Sequence, residues 1–234
     1  GLAFIVGAAF LGGLVGVSQT SGVRIDPESP LPRRVAFRHF EAFGESNLMV
    51  NGETDPTAEL FSDPADHSLL VLSRRLRNAV GLSVGGQAVY RIPRVEVHLE
   101  NEGVAALVPD TAHVSRVASY AFVDSAATFA FEGLSLRVVP KAPASGEIAL
   151  NDLLEYCPEY RYRRDRYTPV VTAIRDLAGY GELTEVVVLF SLSSPPCGVW
   201  VPRIMRIFQA AGSPVFTVRY ILVDSLKHPS VRRY

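Results

Sequence analysis

The 234-residue sequence predicts an all-β sandwich, and three observations carry that expectation. After Gln87 the chain holds several runs in which apolar and polar residues alternate, the period of a strand with one buried face. Each run is bounded by Gly, Pro or Ser clusters that read as turns. Segments with helical character are few and short, at residues 150–156 and 173–177. One β-rich domain of roughly 200 residues is an ordinary size, and no 20-to-50-residue repeat suggests a propeller or solenoid.

The chain opens with GLAFIVGAAFLGGLVGV, 17 residues without a charge. A membrane-spanning helix needs about 20 apolar residues, so this run sits at the short edge of that range. A secretory signal carries basic residues ahead of its apolar stretch, and none precedes this one. Gly1, Gly7, Gly12, Gly13 and Gly16 each disfavour helix in water by about 1 kcal/mol relative to Ala. Residues 1–25 are therefore expected to form an apolar arm that leaves its own domain. Leu2, Phe4, Phe10 and Leu14 would bury themselves on neighbouring subunits, and transient membrane contact is a further role for the segment. A start at Gly in place of Met suggests release from a precursor.

Residues 26–84 are expected to be extended arm and loops leading into the sandwich. Asp26-Pro27, Ser29-Pro30-Leu31-Pro32, Asp55-Pro56 and Asp63-Pro64 all mark turns or extended connections. Within this stretch SLLVLSRRLR, residues 68–77, is ambiguous between a short helix and a strand. Residues 85–234 are expected to supply the main part of a single sandwich domain. QAVYRIPRVEVHLE alternates Val89, Ile92, Val95, Val97 and Leu99 with polar partners, and Pro93 breaks it at an edge or bulge. SRVASYAFVD and ATFAFEGLSLRVVP are rich in β-formers. TPVVTAI, TEVVVLFSLSS, GVWVPRIMRIFQAAG and PVFTVRYILVD complete the series of expected β runs.

A net charge of -1 provides no global field to attract nucleic acid or an anionic membrane. Cys157 and Cys197 are too few for a disulfide framework and lack CxxC spacing, so both are read as free thiols. The five histidines are scattered, and Asp63, Asp66 and His67 fit a turn better than a metal site. With no nucleophile elbow, phosphate loop or metal motif, the sequence reads as a non-enzyme with no cofactor, no metal and no catalytic residues.

The densest local signal is YCPEYRYRRDRY, residues 156–167, read as an exposed strand or loop. Tyr160, Tyr162 and Tyr167 interleave there with Arg161, Arg163, Arg164 and Arg166. Such a mixture suits a single-stranded nucleic-acid platform or a protein interface, where both residue types are enriched. Glu155, Glu159 and Asp165 offset the positive charge, which favours the protein interface.

The C-terminal run resembles the end of a picornavirus-like jelly-roll capsid protein. Val201 to Phe208 matches an apolar strand, Ala210-Ala211-Gly212 a small turn, and Phe216 to Leu222 an aromatic strand. Upstream, Ala127 to Val138 resembles the central strand of that family, and the likeness covers residues 85–225. The resemblance implies an antiparallel eight-stranded jelly-roll β-sandwich with an extended N-terminal arm and a few short helices. It also implies a structural subunit that assembles with other capsid proteins into an icosahedral virion shell in the host cytoplasm, with genomic RNA a possible partner at the inner surface. The competing readings are a β-sandwich anchored in a membrane by residues 1–17 and a β-sandwich enzyme without a recognisable motif.

Overall fold

The computed structural model describes residues 3–6, 37–100, 105–109 and 113–223. In chain order the strands are β1 (Ala3–Val6), β2 (Phe37–Ala42), β3 (Ser46–Val50), β4 (Glu53–Thr54), β5 (Glu59–Ser62), β6 (Leu69–Leu72), β7 (Ala79–Ser83) and β8 (Ala88–Ile92). A 3-10 turn (Arg94–Glu96) precedes β9 (His98–Glu100), β10 (Ala105–Pro109), β11 (Ser115–Ser119), β12 (Ala121–Val123), β13 (Ala126–Phe131) and β14 (Leu134–Pro140). Then follow β15 (Gly146–Ile148), α1 (Leu150–Tyr156), α2 (Pro158–Arg166), α3 (Val171–Ala178), β16 (Thr184–Phe190), α4 (Pro195–Ala211) and β17 (Phe216–Leu222).

The protein is mostly β, as its alternating runs predict. An eight-stranded sheet runs β11-β8-β7-β6-β5-β2-β10-β9, and a five-stranded sheet runs β12-β13-β14-β3-β4. Every neighbouring pair in both is antiparallel. Leu48, Val50, Phe129, Phe131 and Leu136 of the smaller sheet share one core with Leu60, Val71, Val80, Leu82 and Val89 of the larger. Leu70 and Leu72, on either side of Val71, belong instead to a second core with Phe40, Phe61, Ala106 and Val108. The eight-stranded sheet is thus apolar on both faces along β6, and for that reason SLLVLS reads as a continuous apolar run without a period.

Residues 26–84 hold more structure than the expected arm and loops: β2 to β7 all lie between Phe37 and Ser83. The prolines punctuate short strands. Asp55 and Asp63 close the turns between them, their Oδ1 atoms accepting from Thr57 N at 2.9 Å and Ala65 N at 2.8 Å, the local bond that makes Asp a turn former. Glu132 and Gly133, at φ 52° and 77°, make the tight two-residue link between β13 and β14.

From β15 onward the architecture changes. β16 and β17 are parallel, β1 pairs in parallel with β16, and β15 runs antiparallel to β17. Parallel neighbours need a crossover of a dozen or more residues, and α4 is that crossover. This corrects the expectation of a β run over residues 198–212 and of a strand from Val201 to Phe208. Cys197, Val201 and Met205 recur every four residues and are buried, a helical stripe hidden by the apolar residues around it. Pro195 and Pro196 occupy the first turn, where an N–H has no partner to lose. Gly212 ends the helix in the left-handed region at φ 58°, its N–H donating to Phe208 O at 3.2 Å.

Two further segments are corrected from strand to helix. YCPEYRYRRDRY contains α2, started by Pro158, and TPVVTAI leads into α3. The segment that carried the capsid resemblance at 201–208 is helical. Helices α1, α2 and α4 cover one face of the mixed sheet, packing Leu153, Cys157, Tyr160 and Met205 on Val186, Val188, Phe190, Tyr220 and Leu222. Val187, Ile221 and Val223 are buried on the opposite face. Both faces of β16 are therefore covered, as parallel strands require.

Ala3–Val6 pairs with β16 from Ala3 opposite Glu185 to Val6 opposite Val188, so this part of the apolar run has its partner within the chain. Leu2, Phe10 and Leu14 lie outside the described residues, and Phe4 is placed only by its register opposite Val186.

Candidate functional site, a basic and aromatic cleft

The α/β region meets the antiparallel region along α2 and α4, and two features hold the junction. At Gly44, between β2 and β3, an added Cβ would lie 2.7 Å from Leu192 O, so only glycine permits this approach. Just beyond β14, Lys141 is nearly fully buried; its Nζ donates to Gly44 O at 2.7 Å and to Glu159 Oε1 at 2.6 Å.

Inside α4, Pro202 has no N–H to offer the carbonyl four residues earlier. That carbonyl belongs to Gly198, and Arg163 Nη1 of α2 donates to it at 2.7 Å. A Cβ at position 198 would stand 3.0 Å from the same Nη1, so the missing side chain leaves room for the guanidinium. Arg163 Nη2 also reaches Glu59 Oε1 of β5 at 3.4 Å. One side chain thereby ties α2, α4 and β5 together.

Around this tie lie two adjoining open clefts of about 310 Å³ and about 420 Å³ that share Glu59, Tyr162 and Arg166. Arg74, Arg94, Leu72, Val97 and Leu99 line the first, and Arg163, Tyr167, Val199 and Arg203 the second. The guanidinium groups of Arg74 and Arg166 each lie 5.3 Å from the ring centre of Tyr162. That of Arg203 lies 5.0 Å from both Tyr167 and Trp200. Such stacking holds a guanidinium in place while leaving its in-plane N–H groups to donate.

A buried network sets the position of Arg74. Asp55, only 3% exposed, accepts from Thr57 Oγ1 at 2.7 Å and from Ser73 Oγ. Ser73 Oγ accepts from Arg75 N at 3.0 Å, and Thr57 Oγ1 from Arg74 N at 3.2 Å. Ser73 O in turn accepts from Arg94 Nη2 at 2.8 Å. Among the described residues no carboxylate lies within ion-pair distance of Arg74, Arg94 or Arg166, and Glu59 is the one acidic side chain lining the clefts. The chemistry this arrangement offers is recognition of negative charge through fixed bidentate donors.

Of the residues singled out in the sequence, Tyr162, Arg163, Arg166 and Tyr167 come together here. Tyr160 does not: it is a core residue, 2% exposed and in ring contact with Phe190. Arg161 is exposed outside both clefts, and Arg164 pairs with its neighbour Asp165 at 2.8 Å. Arg74, Arg94, Arg203, Trp200 and Glu59 escaped notice, since they are scattered over 145 positions of sequence with no shared motif.

The remaining reactive groups are placed for structure. Cys157 and Cys197 are buried free thiols, as read from their number and spacing. Burial, reinforced by the charge of Glu159, pushes the Cys157 thiol up to about 12, despite Lys141 nearby; the nucleophilic thiolate is scarce at neutral pH. Among the described residues no group of three metal-ligating side chains converges. No family model matches the chain, and neither the curated proteins nor the solved structures contain a match to it.

Proposed function

We propose that this chain is a structural subunit of a larger protein assembly and works by binding rather than by catalysis. The convergence of Arg74, Arg94, Arg166 and Arg203 with Tyr162 and Tyr167 on two adjoining open clefts carries this reading. Arg, Tyr and Trp are the residue types on which protein interfaces concentrate their binding energy. The form of assembly suggested by the sequence resemblance, an icosahedral shell around RNA, draws support from the two antiparallel sheets that share one core. The parallel β16-α4-β17 unit departs from that plan over the residues on which the C-terminal part of the resemblance rests. Among the described residues no helix is long and apolar enough to cross a membrane.

Photo-crosslinking in the native cell tests the proposal. A benzoyl-phenylalanine in place of Trp200, which is 43% exposed and lies against Arg203 of the second cleft, should capture a second protein chain or a second copy. The charge reversal Arg166→Glu should abolish that capture. Crosslinks that are absent or unchanged by the reversal overturn the reading, and virion-like particles in negative-stain images would support its capsid form.

A further inference from the structure

The cleft itself discriminates among anionic partners. A single-stranded nucleic-acid platform presents open ring faces on which bases stack. Here Tyr162, Tyr167 and Trp200 each already hold a guanidinium of the same chain over the ring. A base would have to displace an arginine before it could stack. Arg166 spends one N–H on the Tyr162 hydroxyl at 3.1 Å, but among the described residues neither it nor Arg74 has a carboxylate within ion-pair distance, and their fork geometry matches one.

The walls between the arginines are apolar, made by Leu72, Val97 and Leu99 on one side and Val199 on the other. Leu99 is 50% exposed and Val95, in the adjoining 3-10 turn, 84%. Such walls suit a side chain that carries no charge, set between acidic ones. The balance of charge over the whole chain, -1, also lacks the long-range field that gathers a polyphosphate.

We propose that the cleft binds a short acidic peptide segment of a partner protein, with carboxylates on Arg74, Arg94 and Arg166 and an apolar side chain between Leu72 and Leu99. This inference rests on the binding-subunit reading and names the chemistry of its partner.

The experiment is fluorescence anisotropy of the purified full chain with labelled hexaglutamate, with the same peptide carrying leucine at two positions, and with a short oligouridine. The leucine-containing peptide should bind most tightly. Arg74→Gln and Arg166→Gln should each weaken it by roughly tenfold or more, the size of one charge-assisted bond. Arg161→Gln, on the same helix but outside the cleft, should leave it unchanged, and salt should weaken binding throughout.

Tighter binding of oligouridine with the same arginine dependence overturns the inference in favour of nucleic acid. Equal effects of Arg161→Gln and Arg166→Gln overturn it in favour of unspecific charge attraction. Failure of every acidic peptide while crosslinking from position 200 persists overturns it alone and leaves the subunit reading intact. Loss of crosslinking with peptide binding retained would sink the assembly reading instead.

Discussion

Residues 37–141 and residues 146–223 bury their cores in opposite ways. In the first, antiparallel strands such as β14 alternate, with Leu136 and Val138 inward and Arg137 between them less buried. In the second, Val186, Val187 and Val188 are buried in succession because β16 is covered on both faces. The difference teaches that an apolar run reports how many faces of a strand are covered, and does not report its direction or its neighbours. The cleft lies where these two arrangements meet, so its arginines come from both.

The largest expected effect comes from breaking the tie between the regions. Lys141 and Glu159 have side chains only 2% and 15% exposed, and removing one partner of such a pair costs about 3–5 kcal/mol. Lys141→Ala should lower stability by that amount in denaturant titration. Lys141→Met combined with Glu159→Leu should restore most of it. Two separate unfolding transitions in the wild-type chain would show instead that the regions fold independently and that the tie is dispensable.

A smaller effect sharpens the account of the junction. Arg163→Met leaves the part-buried Gly198 O without its donor, at about 1 kcal/mol, the low end of the range for an unsatisfied acceptor. Adding Pro202→Ala returns an N–H to that carbonyl and should recover part of the loss. If the second substitution only adds to the first, Arg163 does not act through Gly198.

Thiol chemistry separates the regions kinetically, since both cysteines belong to the α/β part. At mild alkaline pH Cys157 should react with a disulfide reagent far more slowly than after unfolding, because it is fully buried and its titration is displaced to about 12. Fast labelling in the native state would mean that α1 and α2 open readily and that this region is the less stable of the two.

The smallest effect lies among the exposed charges of the mixed sheet. Arg219 of β17 bonds Glu147 of β15 at 2.6 Å and Glu185 of β16 at 2.9 Å. Its hydrogen bonds hold the Glu147 carboxyl below the ordinary value of 4.5. A depressed carboxyl contributes stability above its unfolded value and loses it as pH falls through the folded one. Arg219→Gln should therefore remove a small contribution at neutral pH, as expected for a solvated pair, and leave stability unchanged below the folded value, so that the acid limb becomes shallower. An unchanged acid limb would remove this ladder from the account.

Strands at 88–92, 126–140, 184–190 and 216–222 and the helix at 150–156 were legible from local pattern, because side-chain period and turn residues act over a few positions. The helix at 195–211 was not: Val199, Val201, Ile204 and Ile207 spoil its period, and only the parallel pairing of β16 with β17 demands a crossover there. At residues 156–167 the mixture of Tyr and Arg was visible, but its helical state decides that Tyr160 faces the core while Tyr162, Arg166 and Tyr167 face the cleft. Local chemistry thus set the strands, the turns and the store of arginine and aromatic residues. Which arginines meet, and over which rings, was decided by packing α2 and α4 against β5 and β6, since a binding surface is a property of distances in space that neighbouring residues in sequence do not contain.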